Sequence, residues 1–298
     1  MNAAAAGGEQ RIPLATWILA ARPRTLTAAV VPVVVGTAVA GSFGGARALP
    51  ALAALLSSIC IQIGTNFAND YSDFKRGADQ ERVGPVRVTQ SGLIAPTTVR
   101  RAALGWFGLA ALFGIYIALV GGFPMVIVGL ASVLSGWLYT GGPWPLGYHG
   151  LGDLFVMLFF GFVATVGTVF LQLHSVPPLA WLAALPVGAL ATAILTVNNL
   201  RDRETDARVG KRTLAVKLGA AFTRAEYLLL FALAALSPIA AVLLGLASPW
   251  VLLALLPLPL APFQLVLRSE GAALNPGLGA TARVQLLYGA LFALGILL

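Results

Sequence analysis

Apolar runs of about 18 residues or more recur along this chain, and that is the length a helix needs to cross the hydrocarbon layer of a bilayer. They fall at approximately 25–43, 49–70, 100–120, 123–140, 152–172, 178–199, 226–246, 249–267 and 281–298. Lipid offers the backbone no hydrogen-bond partners, so such runs fold as helices. The expected fold is all-α, a polytopic membrane protein with about nine transmembrane helices. Residues 1–298 read as a single membrane-embedded domain, because no stretch has the composition of a soluble one. The opening MNAAAAGGEQ lacks the basic, apolar and cleavage regions of a signal peptide. The single Cys60 lies inside an apolar run and reads as a small core residue.

A net charge of +8 would suit a nucleic-acid partner if the charge were clustered on one soluble face. It is distributed by loop instead. With nine spans, 18 of the 19 Lys and Arg residues fall on one side, and only Arg47 falls on the other. This is the positive-inside pattern, which places the basic side in the cytoplasm and excludes nucleic acid as the reason for the charge. The expected location is a bacterial cytoplasmic (inner) membrane.

The acidic residues are just as unevenly placed. Seven of the 11 fall in two stretches, NFANDYSDFKRGADQE at 66–81 and NNLRDRETD at 198–206. The first holds Asn66, Asn69, Asp70, Asp73 and Asp79. The second holds Asn198, Asn199, Asp202, Glu204 and Asp206. Each follows an apolar run on the basic side, the second and the sixth. Within them Asn66 and Asp70, Asn69 and Asp73, and Asp202 and Asp206 are four apart, which puts each pair on one helix face. Carboxylates and carboxamides are hard oxygen ligands. Two such faces suit Mg²⁺, which takes one or two carboxylates and completes its shell with water and substrate phosphate. The neighbouring Lys75, Arg82, Arg87, Arg201, Lys211 and Arg212 are placed to neutralise phosphate oxygens. Acids held this close to a bilayer are costly and point to function.

Phe67, Tyr71, Tyr139, Trp144 and Tyr148 lie near these stretches and are candidates to shield a cationic intermediate, although Trp and Tyr also anchor helices at the membrane interface. Asp153 opens the fifth run and reads equally well as a helix cap. His149 and His174 lack partners at metal-binding spacing. No phosphate-binding loop, dinucleotide fingerprint, HExxH or nucleophile elbow is present.

NDYSDFKRGAD, followed by RVGPVR and by NNLRDRETDARVGKRTLAVKLG, resembles the UbiA superfamily of intramembrane prenyltransferases. ARPRTLTAAVVPVVVG at 21–36 and YTGGPWPLGYHGLGDLFVMLFFG at 139–161 bring it closest to the 1,4-dihydroxy-2-naphthoate polyprenyltransferase branch of menaquinone biosynthesis. The wider family's first motif ends in an Asp where this chain has Gly77, and Asp79 stands two residues later, as in the naphthoate branch. The resemblance implies Mg²⁺ held by Asn69, Asp73, Asp202 and Asp206, a polyprenyl diphosphate donor, and a dihydroxynaphthoate acceptor that loses CO₂. It implies a catalytic role for Asp70, and roles at the leaving diphosphate for Lys75, Arg87, Lys211 and Arg212. It also places the acceptor carboxylate at Arg22 or Arg24. Other acceptors (4-hydroxybenzoate, homogentisate, a porphyrin or chlorophyll precursor) and a phytyl donor stay open. A secondary transporter is the alternative from another class. It would carry ionisable groups near the bilayer midplane, where this sequence has none.

Overall fold

The computed structural model describes residues 12–81 and 83–298. Arg11 and Arg82, both assigned by sequence to the basic side, and the N-terminal stretch lie outside the described residues. Within the described residues the chain is all helix and turn, with no strand. In order the helices are α1 (Leu14–Ala21), α2 (Thr27–Ser42), α3 (Ala48–Lys75), α4 (Pro96–Gly121), α5 (Phe123–Leu138), α6 (Gly152–Val156), α7 (Ala164–Leu173), α8 (Pro178–Arg208), α9 (Leu214–Leu243), α10 (Phe263–Arg268) and α11 (Asn275–Leu297). A π-helical segment, Met157–Val163, joins α6 to α7 into one rod from Gly152 to Leu173.

Six of these rods are long and apolar enough to span a bilayer, and α1 with α2, bent by 52° at their junction, makes a seventh. The expected nine is therefore not reached by length and composition. The two remaining runs form shorter apolar helices. Phe123–Leu138 has 16 residues, about 24 Å of helix. The eighth run carries Pro249, Pro257, Pro259 and Pro262 and breaks into 3₁₀ turns before α10, because proline removes the amide that a continuous helix needs.

The most buried rod is α8. Of its most apolar stretch 78% is buried, against 17% for α4. Its sequence is rich in Ala and carries Gly188 in the middle, which lets neighbouring backbones come close. A Cβ on Gly161 would lie 2.7 Å from the Cα of Gly188, so the π-helical segment and α8 cross at a pair of glycines. Between α3 and α8 the chain passes through α4, α5 and the α6–α7 rod, reversing each time. The reversals are even in number, so α3 and α8 run parallel and their C-terminal ends lie at the same end of the bundle. Both carry the acidic stretches.

Candidate active site

Asp70 and Asp73 lie in the last two turns of α3, and Asp202 and Asp206 in the last two turns of α8. The C-terminal end of a helix is the negative end of its dipole, which disfavours carboxylates there. All four are nevertheless buried, at 1%, 3%, 4% and 6% exposure. Such an arrangement needs cations or hydrogen-bond donors around the carboxylates, and the structure supplies both.

On the α3 side, Asp73 accepts a hydrogen bond from Arg87 Nη2 at 3.0 Å and another from the Tyr148 hydroxyl at 2.9 Å. Arg87 also sets Nε 3.3 Å from Asp79 Oδ1, so one guanidinium bridges two buried acids. Its Nη1 is buried and has no partner. Asp70 accepts from the backbone amides of Val88 and Thr89 at 3.2 and 3.0 Å. It thereby fastens the loop that carries Arg87. Asn69 accepts from the Thr140 hydroxyl at 2.8 Å. Asn66 donates to Ala21 O and to Thr25 Oγ1, tying α3 to the elbow between α1 and α2. Arg22 sits at that elbow with φ 51°, a left-handed conformation costly for a non-glycine residue.

On the α8 side, Arg201 grips both oxygens of Asp202 at 2.6 and 2.7 Å and is itself held by Asn198 and Asn275. Lys211 donates to Asp206 Oδ1 at 3.2 Å, and Asp206 Oδ2 is buried without a partner. Burial alone would push the Lys211 ammonium down. The carboxylates of Asp206, Asp73 and Asp202 outweigh it and hold Lys211 above its ordinary value. Asn69 and Asp73 of α3, Asn198 and Asn199 of α8, and Lys211 line one cavity, so the two stretches meet there. Burial and the Asp73 carboxylate push the Tyr148 phenol well up, so it stays a neutral donor.

Between the two walls lies a cavity of about 320 Å³. Its head is lined by Arg22, Asn69, Asp73, Arg87, Asn198 and Lys211, with Asn66, Asn199 and Tyr139 beside them. Below the head the lining turns apolar along α3, α4, α5, the π-helical segment and α7. Phe155, Phe159 and Phe160 face it there, and Phe155 stacks on Phe159 at 5.9 Å.

Several expected residues lie elsewhere. Lys75 is exposed, with its ammonium over the ring of Tyr71, and Arg100 approaches the same ring. Neither Lys75 nor Tyr71 lines the cavity, because both sit on the face of α3 turned toward α4. Arg24 is exposed beside Gly279 of α11. The Arg212 side chain is exposed, and only its amide is engaged, by Tyr148 O at 2.9 Å. Asp70, Asp79, Asp202 and Asp206 are buried and stand behind the lining, so α8 presents Asn198 and Asn199 to the cavity, and Tyr148 reaches the site through Asp73. Phe67 packs against Trp17, and Trp144 is exposed and stacked on His149. Sequence reading missed Thr140, Gln62 and the three phenylalanines, all of which line the cavity. The phenylalanines were hidden in an apolar run whose facing is set by the π-helical turn, and extra turns of that kind recur at functional sites.

The donor chemistry fits Mg²⁺ in one respect and limits it in another. Hard oxygen ligands line both walls, and Asp206 offers an orphaned buried oxygen. Among the described residues, no three acidic, His or Cys side chains gather into a cage that would hold a metal alone. An ion here would need substrate oxygens to complete its shell, as Mg²⁺ commonly does.

Residues 29–274 match the UbiA prenyltransferase family. This chain belongs to that family. It is 45% identical over 247 residues to the 1,4-dihydroxy-2-naphthoate octaprenyltransferase of Mycobacterium tuberculosis, covering 83% of this chain and 84% of that protein. The protein of the same name from Escherichia coli is 37% identical, with 95% of each covered. Among solved structures, a UbiA homologue from Archaeoglobus fulgidus bound to DMAPP and Mg²⁺ superposes with a TM-score of 0.65 at 17% identity, covering 93% of this chain and 99% of that one. That likeness shows the fold, and the long apolar helices together with the bacterial relatives make the chain a multi-pass membrane protein.

Proposed function

We propose that this UbiA-family protein transfers a polyprenyl group from a polyprenyl diphosphate to 1,4-dihydroxy-2-naphthoate, releasing diphosphate and CO₂ and leaving demethylmenaquinol. The observation that carries the reading is the meeting of two acid-bearing helix ends over the polar head of an otherwise apolar cavity. The names of the bacterial relatives supply the acceptor.

Asn69, Asp73, Asp202 and Asp206 would hold Mg²⁺ together with the diphosphate. Held there, Mg²⁺ would supply Lewis-acid neutralisation of the charge that develops on the leaving group. Arg87 takes up the rest of that charge from the cavity wall, and Lys211 holds the diphosphate there in ground and transition states alike. As the allylic C–O bond breaks, its electron pair leaves with the diphosphate. The ring carbon bearing the carboxylate then bonds to the allylic carbon, and loss of CO₂ restores aromaticity. Tyr139, Phe155 and Phe159 line the path of the cation, and their aromatic faces shield it from water that would quench it. Arg22, held at the strained elbow and lining the head, receives the acceptor carboxylate. The polar head opens to the cytoplasm in the inner membrane, a placement that the loop charges support.

Purified protein in detergent, supplied with the naphthoate, a polyprenyl diphosphate and Mg²⁺, is expected to form prenylated, decarboxylated naphthoquinol. Chelation with EDTA should abolish the product. Asp73→Ala and Asp206→Ala should each cut kcat by about a thousand-fold or more. Prenylation of 4-hydroxybenzoate or homogentisate instead would keep the site and overturn the acceptor. Full activity in EDTA would overturn the metal.

A further inference from the structure

Three glycines line the apolar part of the cavity from three different helices: Gly114 on α4, Gly129 on α5 and Gly167 on α7. A Cβ built on any of them meets no atom within 4 Å. This sets them apart from Gly36, Gly161 and Gly188, where a Cβ would collide with a neighbouring helix. Close packing therefore accounts for the latter glycines and not for the former. A glycine in a helix interior is destabilising relative to alanine, because it loses more backbone freedom on folding. Three that carry this cost around one cavity keep space open.

They also share a depth. Gly114 stands seven residues before α4 ends at Gly121, and Gly167 six before α7 ends at Leu173. Gly129 stands six residues after α5 begins at Phe123. Ala54, another lining residue, stands six after α3 begins at Ala48. At 1.5 Å per residue all four lie about 9–11 Å from the end of the bundle opposite the carboxylates. Asp73 and Ala54 are 19 residues apart on α3, or about 28 Å along the helix. At the other end of the same cavity, Arg87 is only 7% exposed and leaves Nη1 without a partner, as an anion site would.

We infer that Gly114, Gly129 and Gly167 form a side-chain-free collar through which the far part of a long isoprenoid tail passes, and that this collar sets how long a donor the enzyme accepts. The inference rests on the polyprenyl donor proposed above. The lengths divide donors into two groups. With C–C bonds of about 1.5 Å, a farnesyl chain extends roughly 15 Å and an octaprenyl chain roughly 40 Å. A farnesyl tail ends well short of the collar, and an octaprenyl tail must go through it.

The test compares Gly129→Leu and Gly167→Leu with Gly108→Leu. Gly108 also has open space around it, but it is exposed on the outside of α4 and does not line the cavity, so its variant controls for a bulky side chain in a helix. Each protein is measured in two ways: kcat/KM with farnesyl and octaprenyl diphosphates, and equilibrium binding of the unreactive thiolodiphosphates of both chains. In the two collar variants, octaprenyl kcat/KM and affinity should fall tenfold or more while the farnesyl values stay within twofold. Gly108→Leu should change neither. Equal losses for both donors, or an unchanged octaprenyl affinity, would overturn the collar. If the wild type binds both donors but prenylates no naphthoate, the acceptor reading fails, and the binding arm still decides the collar. If it binds neither donor, both fall.

Discussion

At the end of α3 nearly every acidic oxygen is engaged by the protein itself, whereas at the end of α8 one is left bare. Asp70 serves two backbone amides, and Asp73 receives Arg87 and Tyr148. Across the cavity Arg201 occupies Asp202, but Asp206 keeps a buried oxygen with no partner beside Lys211. The two stretches are alike in sequence, Asn-rich and then acidic at a spacing of four. The difference lies in the loops downstream of them. After α3 the loop folds back and brings Arg87 onto the acids; after α8 the chain needs only five residues from Asp206 to bring Lys211 there. One wall is thus preformed by its own loop, and the other keeps a buried carboxylate oxygen unpaired just behind the cavity lining.

The strongest way to break this comparison is to remove the bridge on the α3 wall. Arg87→Ala leaves Asp73 and Asp79 buried without their shared cation. We expect a stability loss of about 3–5 kcal/mol and a fall in kcat of about a hundred-fold or more. Arg87→Lys keeps the charge but cannot span both carboxylates, since an ammonium is a point charge without the guanidinium fork. It should recover stability more than rate. Thermal unfolding and single-turnover rates on both variants separate the two effects. If Arg87→Ala unfolds normally and turns over at the wild-type rate, the α3 wall is not organised by its loop.

A smaller effect sharpens the other wall. Lys211→Ala should raise the KM for the diphosphate donor by about tenfold and change kcat less, the mark of binding shared by ground and transition states. Lys75→Ala should stay within about twofold of wild type, because an exposed cation over Tyr71 is screened by solvent. The pH dependence has a definite sign. The folded value of Lys211 is raised, so its ion pairing contributes fully to stability below the unfolded value of about 10.4. The contribution is lost as pH rises through the higher folded value. Donor KM should therefore be flat from pH 7 to 9. A KM that climbs across this range in the wild type, but not in Lys211→Ala, would show that the carboxylates do not hold the proton on Lys211.

The contrast between Lys75 and Lys211 also shows what was legible in the sequence. Apolar runs, loop charge and the spacing of four acids were enough for an all-helical membrane bundle and for the pairing of the two stretches, because those signals are periodic and local. Which lysine reaches the cavity was not legible. Lys75 lies two residues after Asp73, which on a helix turns it about 200° away. Lys211 lies past the end of α8, where a turn at Gly210 returns it to Asp206. The count of nine spans is not confirmed by helix length for a similar reason. Hydropathy registers the eighth run as apolar but not the breaks its prolines impose. The cavity glycines carried no sequence signal, since composition does not distinguish a glycine that admits a neighbour from one that admits a ligand.

The smallest expected effect concerns Asp70, which the family resemblance makes catalytic. In the structure its two oxygens each accept one amide, from Val88 and from Thr89. Asp70→Asn can satisfy only one of them, because its NH₂ group would face the other N–H. The variant should lose about 1–3 kcal/mol of stability for that unpaired contact. Its kcat should fall by less than about tenfold, through a looser Arg87 rather than through lost contact with substrate. A positioning role makes a further claim: the KM for the donor should move little in Asp70→Asn, and the residual activity should keep the Mg²⁺ dependence of the wild type. Thermal unfolding, kcat and a Mg²⁺ titration on this one variant test all of it. Loss of all activity with an unchanged melting temperature would mean that Asp70 reaches the reacting groups. The α3 wall would then be as open to the ligand as the α8 wall, and the contrast between them would collapse.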